Sequence, residues 1–357
     1  MGQQARKAVE RQDLGSTPST AQTLAQIWRN VLGASPLNPE QNFFEAGGNP
    51  RLAIEFCDRI SAAFGYTLQP VALYAAPTPL ALARVLTEGI QVPFSNALLL
   101  KPGSAAPPLF LFHGIGGNVM EFFDIVQHLD SSRPIYGLQA KGTDGLDDPL
   151  DTVERMAEYH LQAIRELQPR GPYLLCGYSF GGLVALEIAR RLRGSGEAVG
   201  MLAMIDAYPH ERRLSAAQRY ELYLQRLRDR LRRALGNPAS SSLTAKQSQE
   251  FSERICGSAI RPVTEAARTA LRRYIPTPYS GKVEFVTAQI KTVFPKNPAV
   301  TWRPLVRELA IETVSGTHHG MLQTSAAALA AGLVRYVTET LERGPARAAN
   351  SPDHLIR

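Results

Sequence analysis

Long apolar segments are missing from this chain of 357 residues. The longest candidate, Ala326 to Val334, is rich in alanine and too short to cross a bilayer. The first residues contain no apolar core of the kind that a signal peptide needs. These absences favour a cytoplasmic protein that has no membrane partner.

Cysteine is scarce. The three cysteines, Cys57, Cys176 and Cys256, lie far apart in the chain. Their odd number and wide spacing fit neither a disulfide framework nor a metal site. We therefore expect free thiols, as in a reducing compartment, and no bound metal.

Acidic residues are outnumbered, with 32 Asp and Glu against 39 Lys and Arg, a net charge of +7. Between Glu211 and Tyr274 the arginines are crowded: Arg212, Arg213, Arg219, Arg226, Arg228, Arg230, Arg232 and Arg233. No nucleic-acid reader motif accompanies them, so we expect no nucleic-acid partner. Two interpretations stay open, a solvated helix face or a basic surface that meets an acidic protein or a phosphate.

The N-terminal quarter of the chain has the pattern of a small helical domain. Residues 1–18 are polar and unpatterned, which predicts a flexible tail. From 19 to 88, apolar residues recur at helical spacing around Trp28 and Phe56, and two shorter segments follow. The sequence therefore predicts a four-helix domain at 19–88.

This region resembles the acyl or peptidyl carrier domains of nonribosomal peptide synthetases. The resemblance lies in Ile27-Trp28 with Val31-Leu32-Gly33, in the run from Asn42 to Asn49, and in Pro77-Thr78-Pro79. In that family, the position two after the Gly-Gly pair is a serine that carries a phosphopantetheine arm. Here that position is Pro50, which has no hydroxyl group.

The departure at Pro50 is compatible with folding. Asn49 is a favourable N-cap, and proline is favoured at the first position of a helix. We expect a carrier-like domain that is folded but cannot be loaded, with no cofactor attached to this chain. A sequencing or cloning change at Pro50 is the alternative explanation.

The rest of the chain alternates short apolar strands with amphipathic helices. After a linker at 89–97, this pattern predicts an α/β fold over 98–343, with a doubly wound and mostly parallel sheet. The rhythm is interrupted at about 208–275, where helical patterns replace strands. This insertion is predicted to be a lid, or else a packed helical subdomain that gates nothing. Residues 344–357 are a second predicted tail.

A G-x-S-x-G motif is centred on Ser179. An apolar strand from Tyr173 to Cys176 precedes it, and a run with helical spacing from Gly182 to Leu192 follows. Strand, tight turn and helix are the context of a nucleophile elbow. The alternative is a structural serine in a glycine-rich turn.

A nucleophilic serine needs a base and an acid that orients the base. In α/β-hydrolases the chain order is serine, acid, histidine. Asp206 follows the apolar strand 201–205, and the segment from Val286 to Val306 contains no Asp or Glu, so Asp206 is the predicted acid. The base is one of two adjacent residues after the last predicted strand, His318 and His319, and strand order alone leaves both open.

An oxyanion hole needs two backbone donors near the nucleophile. The first predicted donor is the N–H group of Phe180. The second comes from the glycine-rich turn after His113, and Ile115 is the predicted residue. We interpret His113 itself as structural.

Residues 98–340 resemble the type I thioesterases that release products from peptide and polyketide synthetases. The resemblance lies in the motifs around Gly114, Ser179, Asp206 and His318, and in Tyr136-Gly137-Leu138-Gln139 and Gly171-Pro172-Tyr173. It implies that the α/β domain is an α/β-hydrolase. It also implies a serine thioesterase in which Ser179, His318 and Asp206 are catalytic, with Ile115 and Phe180 as oxyanion donors.

Because Pro50 cannot carry the arm, we expect action in trans on the phosphopantetheinyl arm of a partner carrier protein or synthetase module. The product would be a free acid or a ring. Three alternatives remain: a proofreading thioesterase, a general carboxylester hydrolase, and a docking module without catalysis.

Overall fold

The computed structural model describes residues 17–33, 38–66, 68–88, 95–104, 107–130, 132–234, 253–255, 257–291 and 293–342. The chain divides into two compact units between Phe94 and Ser95, within the predicted linker. The predicted tails lie outside the described residues, except that Thr17 and Pro18 already belong to the first helix.

The N-terminal unit contains four helices: α1 (Thr17–Leu32), α2 (Pro50–Phe64), α3 (Ala72–Ala75) and α4 (Pro79–Glu88). Its core is built around Trp28, whose ring meets the rings of Phe43 and Phe56 edge-on, with centroids 5.1 and 5.2 Å away. All three side chains are fully buried. This unit is the four-helix domain that the sequence predicts, and its first helix begins two residues before the predicted boundary.

Helix α2 begins as its sequence predicts. The side chain of Asn49 accepts hydrogen bonds from the backbone N–H groups of Arg51 and Leu52, both at 3.0 Å. Pro50 occupies the first helical turn, where its missing N–H group leaves no bond unmade. The helix ends at Gly65, which takes a left-handed conformation.

The second unit is built on a sheet of seven strands in the order β1-β3-β2-β4-β5-β6-β7. Their bounds are β1 (Ala97–Lys101), β2 (Leu109–Phe112), β3 (Ile135–Leu138), β4 (Tyr173–Tyr178), β5 (Val199–Ile205), β6 (Tyr279–Ile290) and β7 (Val306–Thr317). Only β1 is antiparallel to its neighbour, and every other pair is parallel.

Helices cover both faces of this sheet. On one face, α6 (Val153–Leu167) and α7 (Phe180–Gly194) pack against β2 and β4. On the other, α5 (Phe123–His128) follows a short 3₁₀ turn (Val119–Phe122). The C-terminal helices α11 (Met321–Thr324) and α12 (Ala326–Glu342) pack beside α5. Two buried cores, one on each face, make this the predicted doubly wound α/β fold, and the fold-class prediction is confirmed.

The insertion between β5 and β6 is helical in its described part. It contains 3₁₀ turns at Glu211–Arg213 and Gly257–Ala259, and the helices α8 (Ala216–Ala234) and α9 (Ile260–Arg273). Helix α9 lies over the glycine-rich turn, since Val263 Cγ1 is 2.6 Å from where a Cβ on Gly117 would stand. A lid function for this insertion stays a prediction.

The remaining helices are α10 (Pro298–Trp302), α11 (Met321–Thr324) and α12 (Ala326–Glu342). Among the described residues, no helix is long and apolar enough to span a membrane. Within the same residues, no cluster of His, Cys, Asp or Glu has the composition of a metal site. Cys57 and Cys176 are buried free thiols, and Cys256 lies outside the described residues.

Candidate active site

Ser179 lies at the turn between strand β4 and helix α7. Strand β4 is buried throughout and lies at the centre of the sheet, so the turn that follows it lies at the carboxyl edge of the sheet. Ser179 has φ 53° and ψ −119°, a conformation that a non-glycine residue adopts only when its surroundings enforce it. Its backbone N–H donates to the carbonyl of Ile205, at 2.8 Å, and this bond ties the turn to β5.

Two glycines make this turn possible by close backbone contact. A Cβ on Gly177 would stand 2.3 Å from the carbonyl oxygen of Gly181. A Cβ on Gly181 would stand 2.3 Å from the carbonyl oxygens of Phe112 and His113. The start of α7 therefore lies directly against the end of β2, and no side chain fits between them.

Asp206 follows strand β5, at the same edge of the sheet. It too has a positive φ, 45°, and its N–H donates to the carbonyl of Val286 at 2.7 Å. The side chain is almost fully buried, and its Oδ1 accepts hydrogen bonds from the Thr287 hydroxyl at 3.1 Å and from the Ala288 N–H at 3.4 Å.

His318 lies between Ser179 and Asp206. Its Nδ1 is 3.0 Å from Asp206 Oδ2, and its Nε2 is 3.0 Å from Ser179 Oγ. Because the carboxylate accepts the Nδ1 proton, the lone pair on Nε2 faces the serine hydroxyl. The three residues that the sequence singles out therefore form one continuous hydrogen-bonded chain.

Aromatic rings hold the imidazole of His318 in place. Tyr178 stacks on it, with centroids 5.1 Å apart, and the Tyr178 hydroxyl donates to the His318 carbonyl at 2.8 Å. Phe294 meets it edge-on at 4.8 Å. His318 is only 5 % exposed, so water has little access to the hydrogen bonds of the ring.

The adjacent His319 occupies a different position. Its ring lies beside the His318 ring, with centroids 4.9 Å apart. Burial, reinforced by the neighbouring His318, lowers the pKa of His319 to about 4. The contacts with Ser179 and Asp206 are thus made by His318, whereas His319 lies beside it.

The pKa of Asp206 is set by opposing effects. Burial alone would raise it, because a carboxylate loses hydration energy inside a protein. The hydrogen bond and charge of His318, the Lys291 ammonium and the Thr287 hydroxyl together hold it below the usual range. Asp206 is therefore charged at neutral pH, the state in which it stabilises a positive imidazolium.

The two predicted oxyanion donors lie on backbone segments that touch. Phe180 is the first residue of α7, so its N–H group has no partner within the helix. Ile115 belongs to the turn closed by a hydrogen bond from the Gly117 N–H to the Gly114 carbonyl, at 3.1 Å. The close contact of Gly181 with Phe112 and His113 brings these segments together.

His113 is buried behind the glycine-rich turn. Its Nδ1–H donates to the Gly114 carbonyl at 2.7 Å, and burial lowers its pKa to about 4. The ring lies beside that of His160, which is also buried and has a pKa held well below the usual value by burial. A neutral ring bonded to the turn fits the structural role predicted for His113.

Three groups near the site carry no assignment from the sequence. Lys291 extends its ammonium group toward Asp206, and Tyr178 covers His318. Glu121 accepts the N–H of Gly114, and burial raises the pKa of this carboxyl group to about 8. Tyr178 lies inside the G-x-S-x-G motif itself, so its position was a usable signal. Lys291 and Glu121 reach the site only through the fold.

Residues 107–335 match the family described as the thioesterase domain. The chain belongs to the thioesterase family. Residues 22–86 match the family described as a phosphopantetheine attachment site. A carrier-type domain followed by a thioesterase domain is the arrangement that the two resemblances imply, and the prediction of a thioester hydrolase is confirmed.

Known proteins with this arrangement are parts of peptide synthetases. Malpibaldin synthetase of Mortierella alpina is 29 % identical over 326 residues, which are 90 % of this chain but 6 % of the synthetase. A second match is the crystal structure of a four-domain nonribosomal peptide synthetase bound to AMP and glycine. The aligned part is 88 % of this chain and 26 % of that protein, with 24 % identity and a TM-score of 0.57.

A solved thioesterase structure shares the fold of the second unit. The type II thioesterase BorB from the borrelidin biosynthetic cluster covers 68 % of this chain, and 97 % of BorB is covered, at 17 % identity and a TM-score of 0.52. At this identity the likeness concerns the fold alone.

The N-terminal unit does not fit the prosthetic group that its family carries. The position after Asn49 is a proline whose ring closes on its own backbone nitrogen, so it offers no oxygen for a phosphodiester bond. Ser61 is the only serine of α2, and it lies in the last turn of the helix, eleven residues from Pro50. The helix start is intact, but the attachment chemistry is absent from it.

Proposed function

We propose that this chain is a serine thioesterase that releases an acyl or peptidyl chain from a phosphopantetheinyl carrier protein by way of an acyl-enzyme. The observation that carries the proposal is the chain of two 3.0 Å contacts from Ser179 through His318 to Asp206. Peptide or polyketide biosynthesis is the proposed setting, because the relatives with both domains are synthetases.

In the first half-reaction, Ser179 Oγ attacks the carbonyl carbon of the thioester while His318 Nε2 accepts the hydroxyl proton. The N–H groups of Phe180 and Ile115 hold the negative oxygen of the tetrahedral intermediate. When the C–S bond breaks, the electron pair leaves with sulfur, and the His318 imidazolium passes its proton to the departing thiolate. His318 is then neutral again. A thiol has a pKa of about 8.5, so bond breaking itself needs little help from an acid.

In the second half-reaction, His318 removes a proton from the incoming nucleophile. Water gives a free acid, and an amine or hydroxyl of the bound chain gives a ring. In either case the ester C–O bond to Ser179 breaks, and His318 returns the proton to Ser179 Oγ. Asp206 stays charged throughout and stabilises the imidazolium in both steps.

A fluorophosphonate probe tests the proposal, because a nucleophilic serine displaces its fluoride and becomes phosphonylated. We expect stoichiometric labelling of the intact chain and none of the Ser179→Ala variant. Ser195→Ala, at the opposite end of the same helix, is the matched control and should label like the parent. Labelling that persists in Ser179→Ala would refute the assignment of the nucleophile.

The carrier substrate is proposed to come from another polypeptide, because Pro50 offers no attachment oxygen. The basic helix α8 is the proposed contact surface. Arg226, Arg228 and Arg230 are exposed on it, and Arg226 makes an ion pair with Glu211 at 2.6 Å. Such a surface suits an acidic carrier or the phosphate of its arm.

Turnover of a loaded separate carrier, compared with that of a carrier-free thioester, tests the action in trans. Replacing the three α8 arginines by glutamine should slow only the carrier-bound substrate. A control with the same charge change uses three exposed arginines elsewhere, Arg155, Arg303 and Arg307. Equal turnover of the two substrates, with no effect of the α8 changes, would count against the proposal.

A proofreading thioesterase that clears stalled chains is the second candidate. It too is favoured by Pro50, since such an enzyme needs no arm of its own. Short acyl groups and a full-length chain, offered on the same carrier, separate the two candidates. Faster release of the short groups favours proofreading.

A further inference from the structure

A lysine ammonium lies beside the acid of the site. Lys291 Nζ is 3.6 Å from Asp206 Oδ1, on the side of the carboxylate opposite to His318. Only 11 % of the Lys291 side chain is exposed. A long, strongly hydrated cation is rarely buried without a specific partner, so this placement calls for a reason.

The position of Lys291 is fixed by three elements. It follows the last residue of β6, and its Nζ donates to the hydroxyl of Thr287, which lies four residues earlier, within that strand. Thr287 in turn donates to Asp206 Oδ1. From helix α8, the side-chain amide of Gln225 donates to the Lys291 carbonyl. Lysine, threonine and aspartate thus form a directed chain of hydrogen bonds that ends on the carboxylate.

Other titratable groups approach the site from each neighbouring element. Tyr178 comes from β4, Tyr208 from the segment after β5, His319 from the segment after β7, and Glu121 from the 3₁₀ turn after β2. Burial raises the pKa values of Tyr178, Tyr208 and Glu121 and lowers that of His319. Burial lowers the pKa of Lys291 from its ordinary value, and the charge and hydrogen bond of Asp206 act against that shift.

We propose that Lys291 is a positioning residue that orients the Asp206 carboxylate toward His318. The proposal rests on the roles proposed above for Ser179, His318 and Asp206. By engaging Oδ1 directly and through Thr287, Lys291 leaves Oδ2 for the His318 N–H. The carboxylate is thereby held in the orientation that binds the base.

The size of this effect follows from the contacts that remain. Without the ammonium group, Oδ1 still accepts hydrogen bonds from the Thr287 hydroxyl and the Ala288 N–H. Asp206 then stays in place but is oriented less tightly, and misplacement of a catalytic group by about 1 Å costs about a hundredfold in rate. Removing the ammonium group should therefore slow labelling by about ten- to a hundredfold.

The experiment measures the second-order rate of fluorophosphonate labelling of the full chain between pH 4.5 and 9. Lys291→Met and Lys291→Gln both remove the charge, one without and one with hydrogen-bonding capacity, so failure of either to fold leaves the other. Lys291→Arg retains the charge. Lys296→Gln is the matched control, because Lys296 is 70 % exposed and meets only Glu221 at 3.9 Å.

We expect labelling to slow by about ten- to a hundredfold across this pH range in the Met and Gln variants. The Arg and Lys296→Gln variants should label at close to the parental rate. A folded Met or Gln variant that labels at the parental rate would overturn the inference. If the parent protein is not labelled at Ser179, the proposed function itself fails. A parent that labels normally while the Met and Gln variants show no slowing leaves that function standing and removes only this role.

Discussion

Replacing Gly181 by alanine should push the start of helix α7, which follows Ser179, away from the end of strand β2. The added methyl group would lie 2.3 Å from two backbone carbonyl oxygens, those of Phe112 and His113, and 2.7 Å from the Phe112 carbonyl carbon. All three atoms belong to the main chain of a buried strand end, which cannot rotate away as a side chain could. Strand β2 and helix α7 must therefore move apart.

The cost of that movement can be bounded. Overpacking a tightly filled site destabilises proteins by about 1–3 kcal/mol, and a clash with backbone belongs at the upper end. Alanine gains up to about 1 kcal/mol over glycine in a helix, which offsets part of this cost. We expect a net loss of about 2 kcal/mol in the free energy of unfolding. Labelling should slow far more, since the two oxyanion segments meet at this contact.

Gly194→Ala is the matched control. It places the same methyl group on the same helix, where no atom lies within 4 Å. This variant should be unchanged or more stable by up to about 1 kcal/mol, with a normal labelling rate. Urea unfolding and fluorophosphonate labelling measure both quantities. A Gly181→Ala protein as stable and as reactive as Gly194→Ala would refute the close-contact argument.

Three further predictions concern acid, the triad and the carrier-like domain. Burial lowers the pKa of His113 to about 4 in the folded protein, so below pH 6.5 the unfolded chain binds more protons than the folded one. This residue should therefore reduce the free energy of unfolding by about 3 kcal/mol between pH 6.5 and 4. Urea unfolding of His113→Asn should show a flatter pH dependence. Asp206→Asn should retain its fold by circular dichroism yet label about 10³–10⁴ times more slowly, because an amide cannot stabilise the imidazolium; a loss below tenfold would contradict its role. A phosphopantetheinyl transferase should modify Pro50→Ser but not the parent, as read by intact mass, and an unmodified Pro50→Ser would mean that more than the hydroxyl is missing.

Chain order made the core of the site predictable. Parallel strands end at one edge of a sheet, so residues that directly follow β4, β5 and β7 must lie near one another. Ser179, Asp206 and His318 each directly follow one of these strands. The absence of acidic residues from 286 to 306 then left one acid for the position. These inferences needed only strand boundaries, which apolar runs reveal.

Other features depended on contacts that no local pattern encodes. Strands β6 and β7 extend well beyond their predicted apolar centres, 283–286 and 309–314, because their outer residues are polar and paired across the strands, as Lys282 is with Glu308 at 3.8 Å. Such residues make the backbone hydrogen bonds of the sheet without forming an apolar run in the sequence. Lys291 escaped notice for a similar reason, since its carboxylate partner comes from another strand.

Pro50 and Ser179 stand where the two resembled families place a functional serine. At these two positions, folding is related to chemistry in different ways. In the carrier-like unit, the side chain of Asn49 caps α2, so no side-chain hydrogen bond is needed from the residue after it. Proline there even restricts the unfolded chain, which favours the folded state. The attachment hydroxyl can therefore be lost without loss of structure. At Ser179 the reverse holds, because its strained backbone is held by glycine contacts and the bond to Ile205. Those same contacts place the hydroxyl 3.0 Å from His318 Nε2, so we expect any change that relaxes this turn also to disarm the proposed nucleophile.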